Sequence, residues 1–195
     1  MNYKWRSLVL KTDDPDWNRY VMKTGGCDVF HVNNYMKLFQ EHFNERAALF
    51  IFGNEDEFIA YPHFFRDISR LPFGPSLWEK NKPFFDIISP WYYGGILYFG
   101  SDSTNKRELY RLFYLSFQLY CKKEGIVTEF GRMHPFSDNI EQVEPYVNIK
   151  RTGRVVYIDL TRTEEQIWND MERSNRKRIR KSQDLGVTVV EGKTT

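Results

Sequence analysis

Strand-like and helix-like segments follow one another along most of the chain. Short apolar runs predict strands, and segments whose apolar residues recur every three or four positions predict helices. Strands are predicted at residues 5–10, 47–52, 57–61, 84–88, 96–99, 126–130, 146–149, 155–160 and 187–190. Because strands and helices alternate irregularly, the pattern favours an α/β fold with a mixed sheet.

Turn residues and helix ends are also visible in the first half of the chain. Residues 53–56 (GNED) separate two apolar runs and predict a hairpin. A short helix is predicted through Trp17, and a second helix is expected to be capped by Asn33 or Asn34. Residues 29–32, between these helices, are expected to be extended, and residues 71–82 are expected to form a loop rich in proline, glycine and lysine.

Two longer helices are predicted in the second half. The clearer one begins at Ser103 or Thr104, carries an apolar stripe and ends at Gly125, which suits a helix C-terminus. The other begins with a capping box formed by Thr161 and Glu164 and continues to Gly186. Trp168, Met171, Asn175 and Ile179 recur on one stripe of that last helix.

The composition is that of a folded domain. Aromatic residues make up 17 % of the chain, so we expect a core built largely from rings. The formal net charge is +2, which argues against a chain that binds nucleic acid over its whole surface. Cys27 and Cys121 lie far apart without further ligands nearby, which excludes a zinc knuckle and disfavours a disulfide framework. Without a signal peptide or a membrane-length apolar run, the sequence predicts a cytoplasmic protein with no transmembrane segment.

A dense basic cluster in the last helix is the most distinctive chemical feature. Its members lie within nine residues: Arg173, Arg176, Lys177, Arg178, Arg180 and Lys181. Like charges one helical turn apart destabilise a helix unless an anion lies nearby. The cluster is either a solvated helix face or a clamp for phosphate groups, which arginine binds in a bidentate manner. RNA binding is a third interpretation, although the aromatic residues are not interleaved with the basic ones.

The usual catalytic and metal-binding patterns are missing. His31, His42, His63 and His134 show no metal-ligand spacing, and each is interpreted as structural. The sequence has no G-x-S-x-G motif from which a hydrolase triad could be built. We therefore expect no metal site.

Three segments of the chain together resemble a known protein family. Residues 156–160 (VYIDL), the helix that follows and residues 174–181 (SNRKRIRK), with Gly186-Val187, resemble the central stretch of the FemAB-like acyltransferases of the GNAT superfamily. Residues 89–95 (SPWYYGG) look like its Pro-Tyr-Gly-Tyr-Gly-Gly turn with an altered aromatic order. Residues 130–135 (FGRMHP), with Asn139 beyond them, are similar to its Phe-x-Arg-x-His-Pro segment.

The resemblance implies a fold and a division of the chain. Family members carry two GNAT-like subdomains, each a mixed sheet flanked by helices. Residues 1–153 would form the first subdomain, and residues 154–195 would supply the connecting strand, the basic helix and the first strand of a second one. The catalytic residues of the family would fall after Thr195, so we expect this fragment to be inactive alone.

The resemblance also implies a chemistry. The family transfers an acyl or aminoacyl group to an amine, with aminoacyl-tRNA or acyl-CoA as co-substrate and without a tightly bound cofactor. The acceptor would be a nucleotide-sugar or peptidoglycan precursor, and positioning and electrostatics would supply most of the rate. A non-catalytic module that binds anions through the basic helix, or that only forms a scaffold, is the alternative.

Substrate-binding residues are predicted in two places. Tyr35-Met36-Lys37 resembles the family's acceptor-binding pattern, so the resemblance assigns Lys37 to acceptor binding. In the basic helix the predicted ligand-binding residues are Asn175, Arg176, Arg178, Arg180 and Lys181. An incomplete second subdomain would expose the apolar face of its first strand, and we therefore expect self-association.

Overall fold

The computed structural model describes residues 5–72, 83–101 and 105–192. The chain divides into two compact units, Met1–Lys150 (unit 1) and Arg151–Thr195 (unit 2). Most of the predicted loop at residues 71–82, and the predicted helix start at Ser103 or Thr104, lie outside the described residues. The extent of the two predicted GNAT-like subdomains stays a prediction.

A mixed sheet forms the centre of unit 1 and confirms the α/β class. Its described strands are β1 (Arg6–Leu10), β2 (Arg46–Gly53), β3 (Phe58–Asp67), β4 (Phe85–Ile88), β5 (Leu97–Phe99) and β6 (Ile126–Phe130). The order is β1-β2-β3-β4-β6, and β5 pairs with β3. The pair β4–β6 is parallel, and every other pair is antiparallel.

Helices cover both faces of this sheet. The described helices of unit 1 are α1 (Trp17–Lys23), α2 (Asn33–Phe43), α3 (Lys106–Glu124) and α4 (Ile140–Val143), with short 3-10 turns at Val29–His31 and Ile68–Arg70. Unit 2 contains α5 (Glu164–Asp170) and α6 (Arg173–Asp184). The predicted C-terminus of α3 is confirmed, since Gly125 caps it with a φ of 74° in the left-handed region.

The core has two halves, one on each face of the sheet. Successive residues of β2 point to opposite faces, so Leu49 packs with Trp17 and Met36 of α1 and α2, whereas Phe50 packs with Phe113 of α3. All five of these side chains are almost completely buried. Because β2 and β3 are covered on both sides, they read as continuous apolar runs in the sequence.

The connection between α1 and α2 differs from the prediction. Residues 29–31 form a 3-10 turn instead of an extended segment. The Asp28 side chain caps this turn, and the His31 ring accepts a hydrogen bond from the Asp28 backbone N–H. Neither Asn33 nor Asn34 caps α2, whose N-cap residue is Val32. The Asn33 N–H donates to the side-chain oxygen of Asn18, at 2.9 Å, so the cap comes from a distant part of the chain.

Three predicted strands are absent. Residues 146–149, 155–160 and 187–190 lie within the described residues and form no strand. Residues 144–147 continue from α4 as turns and a bend, and the other two segments run without a pairing partner. A strand sequence adopts its structure only when a neighbouring strand completes its hydrogen bonds.

The predicted basic helix is two helices separated at Met171 and Glu172. The predicted capping box is also displaced by two residues, because Thr163 and Gln166 form it at the start of α5. Thr161 lies in the turn before the helix, where its hydroxyl donates to Asp159 at 2.7 Å. Across the described residues, the helices are all too short or too polar to span a bilayer.

Candidate phosphate-binding groove

A sharp corner between α5 and α6 shapes the candidate site in unit 2. Nη1 of Arg176 lies 3.2, 2.8 and 2.6 Å from the carbonyl oxygens of Trp168, Asn169 and Met171. These are carbonyls that the C-terminus of α5 leaves without helical partners. A guanidinium at that position is favoured by the helix dipole and fixes where α6 begins.

Cationic side chains line an open groove of about 670 Å³ along this corner. Arg173, Lys177 and Lys181 recur at four-residue intervals on α6 and therefore share one face of the helix. Arg176 and Arg180 complete the cationic lining, and Asp184 is the one acidic residue among the described lining residues. The groove is thus strongly electropositive over about two and a half helical turns.

An aromatic ring belongs to the same groove. The half-buried Trp168 of α5 lines it, and the guanidinium carbon of Arg180 lies 5.3 Å from the centre of the Trp168 ring. A cation over an indole face is attracted by the ring quadrupole, which orders the arginine side chain. The groove therefore combines fixed positive charge with a flat apolar surface.

The charges on α6 have no acidic partners within the described part of the chain. Arg173, Lys177, Arg178, Arg180 and Lys181 form no salt bridge there, and all five are exposed. Each lies three or four residues from at least one other positive side chain, which destabilises the helix by repulsion. An anion bound in the groove would relieve that repulsion and would receive several charge-assisted hydrogen bonds.

The structure brings together only some of the predicted ligand-binding residues. Arg176, Arg180 and Lys181 line the groove, whereas Asn175 and Arg178 do not. The Asn175 side chain is exposed. Lys37 lies half-buried on α2 in unit 1. A ligand-binding role for these residues stays a prediction.

Three groove residues lie outside the final set of predicted ligand-binding residues. Arg173 and Lys177 nevertheless belong to the basic cluster interpreted as a phosphate clamp, and their spacing of four residues places them on one helical face with Lys181. Trp168 could not have been found in this way. It joins the groove only because α5 ends at Asp170 and the chain turns back along its side.

Unit 1 contains a separate cleft of about 320 Å³. It lies where residues 89–95 meet residues 130–135. The Gly94 N–H donates to the Arg132 carbonyl at 2.8 Å, and the His134 N–H donates to the Gly94 carbonyl at 2.9 Å. A Cβ on Gly94 would lie 2.5 Å from Pro90, so only glycine fits this contact. The segment containing Asp28 forms another wall.

Asp28 is the centre of the polar network in this cleft. Its carboxylate accepts from the Val29 N–H and from Nε2 of His134, the latter at 3.1 Å. The backbone N–H of Asp28 donates to Nδ1 of His31, at 3.0 Å. Nδ1 of His134 accepts from the Phe136 N–H, which leaves the His134 proton on Nε2. Both nitrogens of His134 are therefore engaged.

In the described residues, no group of three His, Cys, Asp or Glu side chains is arranged to hold a metal ion. No family model, curated protein or solved structure matches the chain. The candidate sites therefore rest on their own geometry.

Proposed function

We propose that the chain belongs to a FemAB-like, amide-forming acyl- or aminoacyltransferase and binds the phosphate groups of a substrate in the groove of unit 2. The single observation that carries the proposal is the row of five cationic side chains along the α5–α6 corner. Such a row matches the closely spaced charges of a pyrophosphate or a nucleic-acid backbone. Acyl-CoA and aminoacyl-tRNA both present such charges beside aromatic bases, for which Trp168 offers a stacking surface.

The fold of unit 1 supports the same proposal in a more general way. A mixed sheet flanked by helices is the architecture that a GNAT-like subdomain would have. In such a reaction an unprotonated amine attacks the acyl carbonyl of the donor, the amide bond forms, and the tRNA or the CoA thiol leaves. The groove would hold the leaving part of the donor, so its contribution would be positioning.

The test compares two charge-matched variants of the full chain. Lys177→Ala removes a charge inside the groove, whereas Arg178→Ala removes a charge outside it. Binding of coenzyme A and of a tRNA acceptor-stem hairpin would be measured by fluorescence anisotropy competition. We expect Lys177→Ala to weaken binding at least fivefold and Arg178→Ala to change it less than twofold. Equal effects of the two variants would refute a shaped groove.

A non-catalytic module that binds polyanions is the second candidate function. Within the described residues, Arg173, Lys177, Arg178, Arg180 and Lys181 form no salt bridge, which favours this function because such charges can follow any phosphate backbone. This function predicts that affinity falls steeply with salt and that heparin competes as well as the acceptor-stem hairpin. Selective competition by coenzyme A or the hairpin over heparin would instead favour the transferase.

A further inference from the structure

The cleft of unit 1 is a site that the proposed function leaves unused. Its described lining comes from three separated parts of the chain: residues 25–28, 94–98 and 134–139. Its volume of about 320 Å³ lies at the lower end of the range for small-molecule sites. A ligand of about five to twelve non-hydrogen atoms would fit such a cavity.

The charged groups of the cleft have one sign. Asp28 and Asp138 contribute carboxylates, and the described lining residues include no lysine or arginine. A single histidine, His134, can offset at most one of the two carboxylates. The cleft therefore carries a net negative charge.

Asp28 retains the capacity to bind a ligand. Its side chain is 42 % exposed although it already accepts bonds from Val29 and His134. A carboxylate has about four lone-pair sites, so about two remain for a donor in the cleft. The network holds the carboxylate in place from both sides, which lowers the entropic penalty of binding.

Part of the remaining wall is apolar, alongside the polar residues Tyr98, Ser137 and Asn139. Ile96 and Leu97 are buried beneath the cleft, and Phe136 borders it with 62 % of its surface exposed. An apolar wall next to fixed carboxylates suits a ligand with a cationic head and a short hydrocarbon stem.

We propose that the unit 1 cleft binds a small primary ammonium compound, with the ammonium group at Asp28 and its hydrocarbon stem along Ile96, Leu97 and Phe136. Asp138 adds long-range attraction from the rim. This site is independent of phosphate binding in unit 2, and it does not require that the protein be a transferase.

Three probes of equal size and different charge test the proposal on the full chain. n-Butylammonium, n-butanol and butyrate would be titrated while the amide resonances of Cys27, Ser137 and Asn139 are followed by NMR. We expect saturable shifts with n-butylammonium and at least tenfold weaker effects with the other two probes. Equal binding of n-butanol would show that the carboxylates do not select the ligand and would overturn the proposal.

Two variants test whether the ligand binds in the cleft. Asp28→Asn keeps an oxygen that accepts from Val29 and removes the charge, and we expect at least a tenfold loss of affinity for n-butylammonium. Asp56→Asn removes the same charge on the exposed hairpin and is expected to change nothing. Similar losses in both variants would mean that only the overall charge matters, which would contradict the proposal.

A cleft-filling variant does not depend on the role of Asp28 in the fold. A Cβ on Gly26 would lie 3.7 Å from Leu97, an ordinary contact, so a larger side chain can enter the cleft from that position. Gly26→Leu should abolish the shifts caused by n-butylammonium and leave the melting temperature nearly unchanged. Retained binding in a folded Gly26→Leu variant would place the ligand elsewhere and overturn the proposal. Coenzyme A binding serves as the readout for unit 2 and should be unaffected.

Discussion

His31 and His63 are both completely buried in unit 1. Burial lowers the pKa of each histidine to about 4, since a charged ring would lose its hydration. Nδ1 of His63 lies 3.0 Å from the Tyr61 carbonyl, and Nε2 lies 3.3 Å from the Tyr120 hydroxyl. The folded protein therefore holds both rings neutral at a pH at which the unfolded chain would protonate them.

This difference makes the stability of unit 1 depend on pH. The unfolded state binds more protons than the folded state between pH 6.5 and about pH 4, so the free energy of unfolding must fall as the pH falls through that range. Each histidine accounts for a loss on the order of 3 kcal/mol. Urea unfolding at pH 7, 6, 5 and 4.5 would measure this fall in the free energy of unfolding.

A pair of variants separates the buried histidine from the general effect of acid. His63→Phe should reduce the loss of stability between pH 6.5 and pH 5, whereas His42→Gln, at an exposed position of α2, should leave it unchanged. If both variants lost stability with the same slope as the original protein, burial of His63 would not be the cause.

Helix α6 carries positive charges that are exposed to solvent and repel one another. Lys177 lies four residues from Arg173 and Lys181 and three from Arg180. Lys177→Gln, which keeps a similar helix propensity, should stabilise α6 by about 0.2–0.5 kcal/mol for each like-charged pair removed. Amide hydrogen exchange across α6 at low salt would detect the gain, and the same variant should bind coenzyme A more weakly.

A lysine in another helix provides the contrast. Lys122 lies in the last turn of α3, where a positive charge is favoured by the helix dipole. Lys122→Gln should therefore destabilise its helix slightly or leave it unchanged. Stabilisation of both helices by the same substitution would point to a property of lysine removal and not to repulsion within α6.

The corner between α5 and α6 depends on one side chain. Arg176→Ala removes the donor to three carbonyls, so we expect faster amide exchange at residues 172–176 and greater motion of the Trp168 ring, measured by fluorescence anisotropy. Arg178→Ala, with the same loss of charge but no contact to α5, is the control. An unchanged anisotropy in Arg176→Ala would mean that other contacts hold the corner.

Helices and turns are predicted correctly from the sequence where the interactions that form them join residues close together in the chain. The hairpin of β2 and β3 and the end of α3 at Gly125 rest on residues adjacent in the chain, and both predictions are confirmed. The capping box was misplaced because both Thr161 and Thr163 have an acidic or amide residue three positions later. The structure places Thr163 at the N-cap, where its side chain accepts from the Gln166 N–H, and Thr161 in the preceding turn.

At the scale of the whole molecule, unit 2 contains exposed apolar segments. Val156 and Val189 are 95 % and 98 % exposed, and both lie in segments with strand-like sequences but no pairing partner. Such segments favour pairing with another chain. We therefore keep the prediction that the chain associates with a second copy of itself.

Charge substitutions in those segments test this prediction. Val156→Lys combined with Val189→Lys should shift sedimentation velocity profiles towards the monomer at concentrations where the original chain associates. Thr152→Lys with Gln183→Lys adds the same two positive charges at exposed polar positions outside these segments and serves as the control. Equal dissociation by both pairs would indicate charge repulsion and not loss of an apolar contact.

The sequence by itself determined the α/β class, the main hairpin, the helix of residues 106–124 and the basic face of α6. These features depend on periodicity, turn residues and spacing, which act over a few positions of the chain. The tertiary structure alone decided the parallel pairing of β4 with β6, the Arg176 contacts that turn α5 into a groove wall, and the cleft around Asp28. Each of these joins groups that approach one another only when packing of the core or a turn of the chain brings them together.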